Sequence, residues 1–295
     1  MAGTPAAGEV GWPSASASVV GVIGDPVRHS LSPTLHNAAF RALGLDWVSV
    51  AFPVAPGALD AALTGARAMG VRGLSVTMPF KEAAAAQMDR TSATASRLGA
   101  VNCVVVEADG LVGHNTDGQG FLGSLRRGAG FDPSGRRCLV VGAGGAARAV
   151  VLALADAGAS EVVVVGRTPD RAAEAATMAG DLGRVGTAGD AAAADLVVNA
   201  TPAGMAATLG AGELPPVDPA LLGPGQLAVD LVYVPRPTRW LELASDRGAS
   251  VLDGLGMLVH QAAAQIELWT GQAGPVEAMW HAVADAQDPR AAAGD

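Results

Sequence analysis

The sequence predicts a two-domain α/β protein in which parallel β-sheets are covered by helices. Short β-branched runs alternate along the whole chain with longer Ala- and Leu-rich stretches, which is the pattern of repeated strand–helix–strand units. Half of the 295 residues are apolar (50%), enough to bury a sizeable core. The turn-rich segment Gly128–Arg137 stands between two such alternations. It therefore indicates a domain boundary.

Charge and composition exclude several classes of partner. The net charge is -9, with 19 basic side chains and no Lys/Arg run, so we expect no nucleic-acid or anionic-membrane binding. The mean hydropathy is +0.32, but the most apolar stretch, Cys138–Gly158, contains a glycine cluster and two charged residues. It is typical of a buried strand and helix rather than of a membrane span. A small-molecule ligand is the expected partner.

The N-terminus and the cysteines indicate a cytoplasmic protein. Residues 1–17 have neither a basic region nor a continuous apolar region, so we expect a disordered tail and no secretory signal. Cys103 and Cys138 each lie in a predicted strand. They are expected to be reduced core residues rather than a disulfide or a reactive thiol.

In the first domain we predict four strands and the helices between them. The strands are Ser18–Ile23, Asp46–Val54, Leu74–Thr77 and Ala100–Glu107. A helix is predicted to begin at Pro33 with Ser32 as its N-cap, another to span Gly57–Met69, and short helices to lie around Lys81 and Ala93.

The second domain opens with a strand, a glycine-rich turn and a helix. The strand ends at Val141, the turn contains Gly142 and Gly144, and the helix passes Ala147 and runs to Ala157. This spacing fits the G-x-G-x-x-G/A fingerprint of a Rossmann-like domain: a tight turn, a close approach of pyrophosphate, and a close helix–strand contact. The free N–H groups of the helix N-terminus would face the phosphates.

The next strand, Glu161–Val165, ends in residues that favour NADP over NAD. An NAD site should carry an acidic residue there, whereas this chain carries Arg167 and Thr168, followed by Arg171. Two guanidinium groups and a hydroxyl suit a 2′-phosphate. A solvated helix start is the alternative interpretation, and for Arg171 alone it is the better one.

Polar residues of the first domain follow its predicted strands. Ser30 and Ser32 are two residues apart in a strand–helix loop and could hold a carboxylate, unless Ser32 only caps the helix. Lys81 ends the segment SVTMPFK, Asn102 stands at a strand start, and Asn115–Gly118 stands at a helix start. Taken one at a time, these are more typical of caps or turns than of a site.

Together the motifs closely resemble the shikimate dehydrogenase family. The matching segments are GDPVRHSLSPTLHNAAF, SVTMPFK, GAVN, HNTDG, VVGAGGAARA, GRTPDR, NATPAGM, VDLVY and LDGLGMLVHQAAAQIELWTG, in the family's order from about residue 18 to 288. The resemblance implies a two-domain α/β enzyme that reduces 3-dehydroshikimate to shikimate with NADPH.

The resemblance also implies roles for individual residues. Lys81 and Asp117 would be the catalytic pair. The substrate-binding residues, which include this pair, would be Ser30, Ser32, Thr77, Lys81, Asn102, Asp117, Tyr233 and Gln261. The cofactor-binding residues would be Gly142, Ala143, Gly144, Gly145, Ala146, Arg167, Thr168, Arg171, Asn199, Thr201, Leu231 and Gly254. Independently of the resemblance, we expect no metal, because the five histidines show no paired ligand spacing.

The expected domains are a substrate domain over 18–128, an NADP domain over 129–254, C-terminal helices over 255–288 that return to the first domain, and a tail over 289–295. These helices are predicted at Leu255–Thr270 and Pro275–Ala286, and the protein is expected to be a monomer or a homodimer.

Two departures from the family pattern leave other substrates open. Ser75 and Gly166 stand where relatives often have asparagine. A quinate or aminoshikimate dehydrogenase is therefore the first alternative. A catalytically silent NADP-binding protein is the second, and the joint presence of Lys81, Asp117 and Gln261 argues against it.

Overall fold

The computed structural model describes residues 13–205 and 213–287, which form two compact units with one six-stranded sheet each. The first unit holds the chain up to Thr116 and from Ala262 onward, and the second holds Asp117–Gln261. The predicted α/β class is confirmed. Residues 1–12 and 289–295 of the expected tails lie outside the described residues. Ser14, inside the first expected tail, donates its backbone N–H and its hydroxyl to the Asp46 carboxylate.

The sheet of the first unit has the order β2-β1-β3-β5-β6-β4. Its strands are β1 (Ser18–Gly24), β2 (Trp47–Pro53), β3 (Gly73–Val76), β4 (Arg90–Thr91), β5 (Cys103–Glu107) and β6 (Gly110–His114). β1 runs parallel to β2 and β3, as predicted, and β4 runs parallel to β6. The carboxyl ends of β1 and β3 therefore lie side by side.

An antiparallel hairpin replaces part of the predicted parallel sheet. The strand predicted to start at Ala100 begins at Cys103, and β5 pairs antiparallel with both β3 and β6. The prediction did not include β6, which follows β5 after two residues, with Glu107 paired to Gly110. A connection this short forces the chain to reverse.

The helices of the first unit are α1 (Ser32–Ala42), α2 (Leu59–Ala68), α3 (Lys81–Ala85), α4 (Ala93–Leu98) and α10 (Val276–Gln287). α10 packs against α1. The prediction that Ser32 caps α1 through its side chain is wrong, because Ser32 is itself the first helical residue. Its N–H instead donates to Ser30 Oγ at 3.2 Å.

The sheet of the second unit is parallel throughout, with the order β12-β11-β10-β7-β8-β9. Its strands are β7 (Arg137–Val141), β8 (Glu161–Val165), β9 (Gly183–Val185), β10 (Leu196–Asn199), β11 (Leu227–Asp230) and β12 (Ser250–Leu252). This is the Rossmann strand order. Val140 and Leu139 enter separate apolar clusters on the two faces, as expected when helices cover both sides.

The helices of the second unit are α5 (Asp117–Ala129), α6 (Gly145–Asp156), α7 (Pro169–Ala176) and α8 (Arg239–Asp246). Helix α9 (Leu255–Thr270) contributes its residues up to Gln261 to this unit and the rest to the first. Over the described residues, no helix has both the length and the apolar character that crossing a membrane requires.

The units divide the chain at positions that differ from the sequence boundaries after residues 128 and 254. Helix α5 belongs to the second unit, where two of its glycines let it lie close to α6 and α9. A Cβ on Gly118 would stand 2.9 Å from Ala153 Cβ in α6, and one on Gly120 would stand 2.6 Å from Gln261 Cβ in α9. The turn-rich segment after α5 is thus a loop inside a unit.

Candidate functional site

Backbone hydrogen bonds join the loops that follow β1 and β3 in the first unit. Thr77 N–H donates to Ile23 O at 3.0 Å, and Asp25 N–H donates to Met78 O at 3.0 Å. Gly24 permits this approach, because a Cβ there would overlap the Thr77 methyl carbon. The loop with Ser30 and Ser32 thus starts beside Thr77.

Lys81 and Asn102 are tied to the same strand end. Lys81 is the first residue of α3, is half-buried, and is the only lysine of the chain. Val101 N–H donates to Lys81 O at 2.9 Å, and Val76 N–H donates to Asn102 O at 2.8 Å. These backbone contacts therefore place the chain at Thr77, Lys81 and Asn102 beside the carboxyl end of β3.

The Asn102 side chain is buried and held by Thr116, a residue of the segment Asn115–Gly118 for which no individual role was predicted. Asn102 Nδ2 donates to Thr116 Oγ1 at 3.0 Å, and Thr116 N–H donates to Asn102 Oδ1 at 2.8 Å. Gln265 of α9 donates to Asn102 O at 3.1 Å. These contacts fix the orientation of the amide.

Ser30 has a proton to donate beyond its local turn. Its Oγ accepts the Ser32 N–H, so the hydroxyl hydrogen can point to a further acceptor. Ser32 is 5% exposed. An anion such as a carboxylate is the acceptor that two neighbouring hydroxyls suit best.

The glycine-rich turn of the second unit has the geometry of a phosphate cradle. Gly142 has φ +120°, and a Cβ there would stand 3.0 Å from Ala200 O, so glycine is required. Gly144 is the N-cap of α6 and has no heavy atom within 4 Å of its Cβ position. Ala147 is fully buried. The Cβ direction of Gly144 is therefore open at the start of α6, whose first N–H groups have no partner within the helix.

The turn after β8 presents the three residues predicted to read a 2′-phosphate. Arg167, Thr168 and Arg171 are all exposed, and Thr168 is the N-cap of α7 without using its side chain to cap. At Gly166 a Cβ would stand 3.2 Å from Ala172 Cβ and 3.7 Å from Ala143 Cβ. The close packing against Ala172 of α7 explains why a small residue stands here.

The loop after β10 is built on Asn199. Asn199 Oδ1 accepts from Thr201 N–H at 3.0 Å and from Thr201 Oγ1 at 2.6 Å. Thr201 Oγ1 in turn accepts from Ala203 N–H at 3.3 Å. Two of the predicted cofactor residues thus shape one turn.

Asp230, the last residue of β11, is a buried acceptor that the sequence analysis left unassigned. Its Oδ1 accepts from Asn199 Nδ2 at 2.9 Å and from Val232 N–H at 3.0 Å, and its Oδ2 accepts from Thr238 Oγ1 at 2.7 Å. Burial raises the pKa of Asp230 and the three hydrogen bonds lower it. The effect of burial is the larger one, and the resulting pKa is about 6. A carboxylate closing an apolar strand was the signal that could have identified it.

Three further predicted residues of the second unit follow β11 and β12 along the chain. A Cβ on Gly254 would overlap Leu231 O, so this contact requires glycine. Tyr233 is half-buried, which raises the pKa of its hydroxyl. Gln261 Nε2 donates to Leu258 O at 3.0 Å within α9.

The predicted site residues are divided between the units. Ser30, Ser32, Thr77, Lys81 and Asn102 belong to the first unit. Asp117, Tyr233, Gln261 and the predicted cofactor residues belong to the second. Asp117, which opens α5, is 4% exposed.

A separate depression of about 350 Å³ lies at the amino ends of β7, β8 and β9, away from the glycine-rich turn. Its two arginines are engaged by acids: Glu161 accepts from Arg137 at 3.0 Å and from Arg184 at 2.7 Å. Arg184 also pairs with Asp190 at 2.7 Å, so both arginines of the depression have carboxylate partners. Across the described residues, no cluster of three or more His, Cys, Asp or Glu side chains has the arrangement to hold a metal ion.

Three family models match successive parts of the chain. They are described as the shikimate dehydrogenase substrate binding domain (residues 22–104), shikimate / quinate 5-dehydrogenase (residues 127–236) and the shikimate 5'-dehydrogenase C-terminal domain (residues 254–284).

Named relatives match nearly the whole chain. A shikimate dehydrogenase (NADP(+)) of Moorella thermoacetica is 48% identical over 275 residues, covering 90% of this chain and 92% of its own. The crystal structure of shikimate 5-dehydrogenase from Thermus thermophilus in complex with NADP(H) and shikimate matches with a TM-score of 0.85 at 40% identity, covering 91% and 99%. The 5-ketofructose reductase of a Gluconobacter species matches with a TM-score of 0.83 at 31% identity, covering 92% and 100%.

Proposed function

This chain belongs to the shikimate dehydrogenase family, and we propose that it catalyses the reversible NADP-dependent reduction of 3-dehydroshikimate to shikimate. This is the reaction of an oxidoreductase in the shikimate pathway to chorismate and the aromatic amino acids. The relatives named for this activity match about nine-tenths of the chain.

The observation that carries the proposal is the position of Lys81. The only lysine of the protein begins α3, and its backbone carbonyl accepts from the N–H of Val101, the residue before Asn102. Reduction of a ketone builds negative charge on its oxygen, so a cation that can also donate a proton is needed within hydrogen-bond reach. Lys81 Nζ supplies both.

The residues of the second unit fit NADP. The turn from Gly142 to Ala146 would hold the pyrophosphate, because Gly144 leaves open space in front of the α6 N-terminus. Arg167, Thr168 and Arg171 would hold the 2′-phosphate, and Asn199, Thr201, Leu231 and Gly254 would line the nicotinamide. When bound, the cofactor supplies or accepts the hydride, and the protein's part is to orient it.

The polar residues of the proposed substrate site would orient the ring. Ser30 and Ser32 would donate to the substrate carboxylate, while Thr77, Asn102, Tyr233 and Gln261 would contact ring hydroxyls. Asp117 is the proposed carboxylate partner of Lys81 and would hold its ammonium in the donating orientation. Because buried polar groups are left unsatisfied by a substrate that lacks a hydroxyl, such a site discriminates strongly.

A second candidate function is the reduction of a related polyhydroxy ketone. Ser75 is buried in β3 and precedes Thr77 by two residues. The short Ser75 side chain leaves more room there than asparagine would. The likeness to a 5-ketofructose reductase supports substrate variation on this scaffold.

Steady-state kinetics with shikimate, quinate and aminoshikimate, each with NADP and with NAD, tests the proposal. We expect the highest kcat/KM for shikimate with NADP. A preference for quinate or aminoshikimate would favour the second candidate, and no turnover with any pair would indicate a silent NADP-binding protein. Lys81→Met, purified identically, controls for contaminating host enzyme.

We also propose a cytoplasmic protein that is monomeric or homodimeric. The buried, unbridged thiols of Cys103 and Cys138 support a reducing compartment, and burial raises the pKa of Cys138 to about 12. Light scattering after size-exclusion chromatography distinguishes the two oligomeric states.

A further inference from the structure

We infer that Asp230 is a positioning residue that fixes the two loops of the proposed nicotinamide site, those after β10 and β11, relative to each other. The inference rests on the proposed function, since it concerns the same cofactor site. Asp230 is fully buried at the end of β11, and its neighbour in register on β10 is Asn199, also fully buried. Each residue begins one of the loops.

The Asp230 carboxylate connects three segments of chain. Through Oδ1 it accepts from Asn199 Nδ2 and from Val232 N–H, and through Oδ2 it accepts from Thr238 Oγ1. Thr238 is the N-cap of α8, with its Oγ1 accepting from Leu241 N–H at 3.4 Å. One side chain therefore fixes the end of β10, the start of the β11 loop and the start of the helix behind it.

The connection continues into the residues proposed to line the nicotinamide. On the β10 side, Asn199 Oδ1 holds Thr201, and Thr201 Oγ1 holds Ala203 N–H. On the β11 side, Leu231 N–H donates to Asn199 O at 2.9 Å, while Leu231 O crowds Gly254. Asp230 therefore acts on the proposed nicotinamide site through these partners.

Stability alone does not explain a carboxylate here. An apolar side chain at the end of a buried parallel strand avoids the cost of desolvating a charge. With such a side chain, three donors would need other partners: Thr238 Oγ1, Asn199 Nδ2 and the Val232 N–H. The loops would also lose the acceptor that they share. The carboxylate is thus explained by the geometry it imposes on the loops.

Binding of two ligands distinguishes an effect at the nicotinamide end of the cofactor site from an effect at the adenosine end. NADP contains the nicotinamide, whereas 2′,5′-ADP carries only the adenosine half with its 2′-phosphate. For Asp230→Ala we expect NADP to bind about tenfold more weakly, with 2′,5′-ADP within about twofold of wild type. Asp230→Asn keeps an acceptor for Asn199 and Val232 and places an N–H donor toward Thr238 Oγ1, so it should restore most of the NADP affinity.

The control variant is tested by the same titrations with NADP and 2′,5′-ADP. Asp218→Asn alters an exposed carboxylate that caps a short turn elsewhere in the second unit, and both affinities should stay at wild-type values. If Asp230→Ala does not fold, Thr238→Val removes one donor to the carboxylate and should weaken NADP by about threefold while sparing 2′,5′-ADP.

The inference would be overturned if a folded Asp230→Ala variant bound NADP as tightly as wild type. It would also be overturned if the affinities for NADP and 2′,5′-ADP fell by the same factor. Failure of wild-type protein to bind either ligand would instead overturn the proposed function. The two failures are therefore distinguishable.

Discussion

Asn102 and Thr116 form a reciprocal pair of hydrogen bonds: Asn102 Nδ2 donates to Thr116 Oγ1 at 3.0 Å, and Thr116 N–H donates to Asn102 Oδ1 at 2.8 Å. Both residues are buried. Asn102 lies just before β5 and Thr116 just before α5. Thr116 thus sets the orientation of an amide proposed to contact substrate.

Thr116→Val should loosen that amide. Loss of the hydroxyl removes one acceptor from the buried Asn102 Nδ2, so we expect the free energy of unfolding to fall by about 1–2 kcal/mol. The KM for shikimate should rise more than the KM for NADP. Urea denaturation and steady-state kinetics measure both, with the exposed Thr94→Val as the matched control. Equal increases in the two KM values would contradict the assigned role.

Lys81→Met should remove turnover while retaining substrate binding. The methionine keeps an aliphatic stem but has no ammonium, so kcat should fall about a hundred- to ten-thousandfold through loss of the proton donor. Calorimetric binding of shikimate should change far less. If the variant kept most of its kcat, Lys81 would not be the catalytic acid.

Arg167→Ala should weaken NADP far more than NAD. The guanidinium is exposed at the end of β8, and only NADP offers it a 2′-phosphate. We expect a loss of about tenfold or more in NADP affinity, in line with a charge-assisted contact. Arg184→Ala, which alters an ion-paired arginine near the amino ends of the strands, is the control. Equal losses for both cofactors would show that Arg167 does not read the phosphate.

His36 should make the protein less stable in mild acid. Burial lowers the pKa of His36 from 6.5 to about 4, so between these pH values the unfolded chain binds a proton that the folded chain does not. The stabilisation is present above pH 6.5 and is lost as pH falls toward 4, by up to about 3 kcal/mol.

The comparison with His36→Asn isolates this effect. Asparagine can still hydrogen-bond Ser49 Oγ, which lies 2.9 Å from His36 Nδ1, but it does not titrate. The raised pKa of Asp230 acts in the opposite direction, since its contribution falls as pH rises, and it is common to both proteins. Parallel urea stability curves between about pH 4 and 7 would contradict the prediction.

Replacement of two helical glycines by alanine should change the free energy of unfolding in opposite directions. Gly65 lies inside α2 with no heavy atom within 4 Å of its Cβ position, so Gly65→Ala should stabilise by about 0.5–1 kcal/mol. Gly120→Ala would place a carbon 2.7 Å from Gln261 N and should destabilise by about 1–3 kcal/mol. Thermal unfolding measures both, and a gain in stability at Gly120 would contradict the close contact between α5 and α9.

The sequence was sufficient for features that depend on local pattern. β8 matches its predicted bounds Glu161–Val165, and α9 matches Leu255–Thr270. The glycine fingerprint identified a turn in which Gly142 adopts a positive φ. Periodicity, glycine spacing and strand composition encode these directly.

Features that depend on distant partners were not predictable in this way. β6 was missed because its sequence GLVGH contains two glycines, which are depleted in strands, and its pairing with β5 is not a local signal. Ser32 looked like a cap, yet its N–H is satisfied by Ser30. Asp230 stands in a quoted motif, but its partners Asn199 and Thr238 come from other segments. The roles proposed for the site residues stay predictions.

The single lysine has a consequence for spectroscopy. Of the 19 basic side chains, only Lys81 carries a primary amine, and the other 18 are arginines. Supplying the protein with 15N-lysine would therefore place a side-chain label on one nitrogen, at the centre of the proposed chemistry. Its resonance could be followed through a pH titration, or through addition of each ligand, without assignment of any other signal.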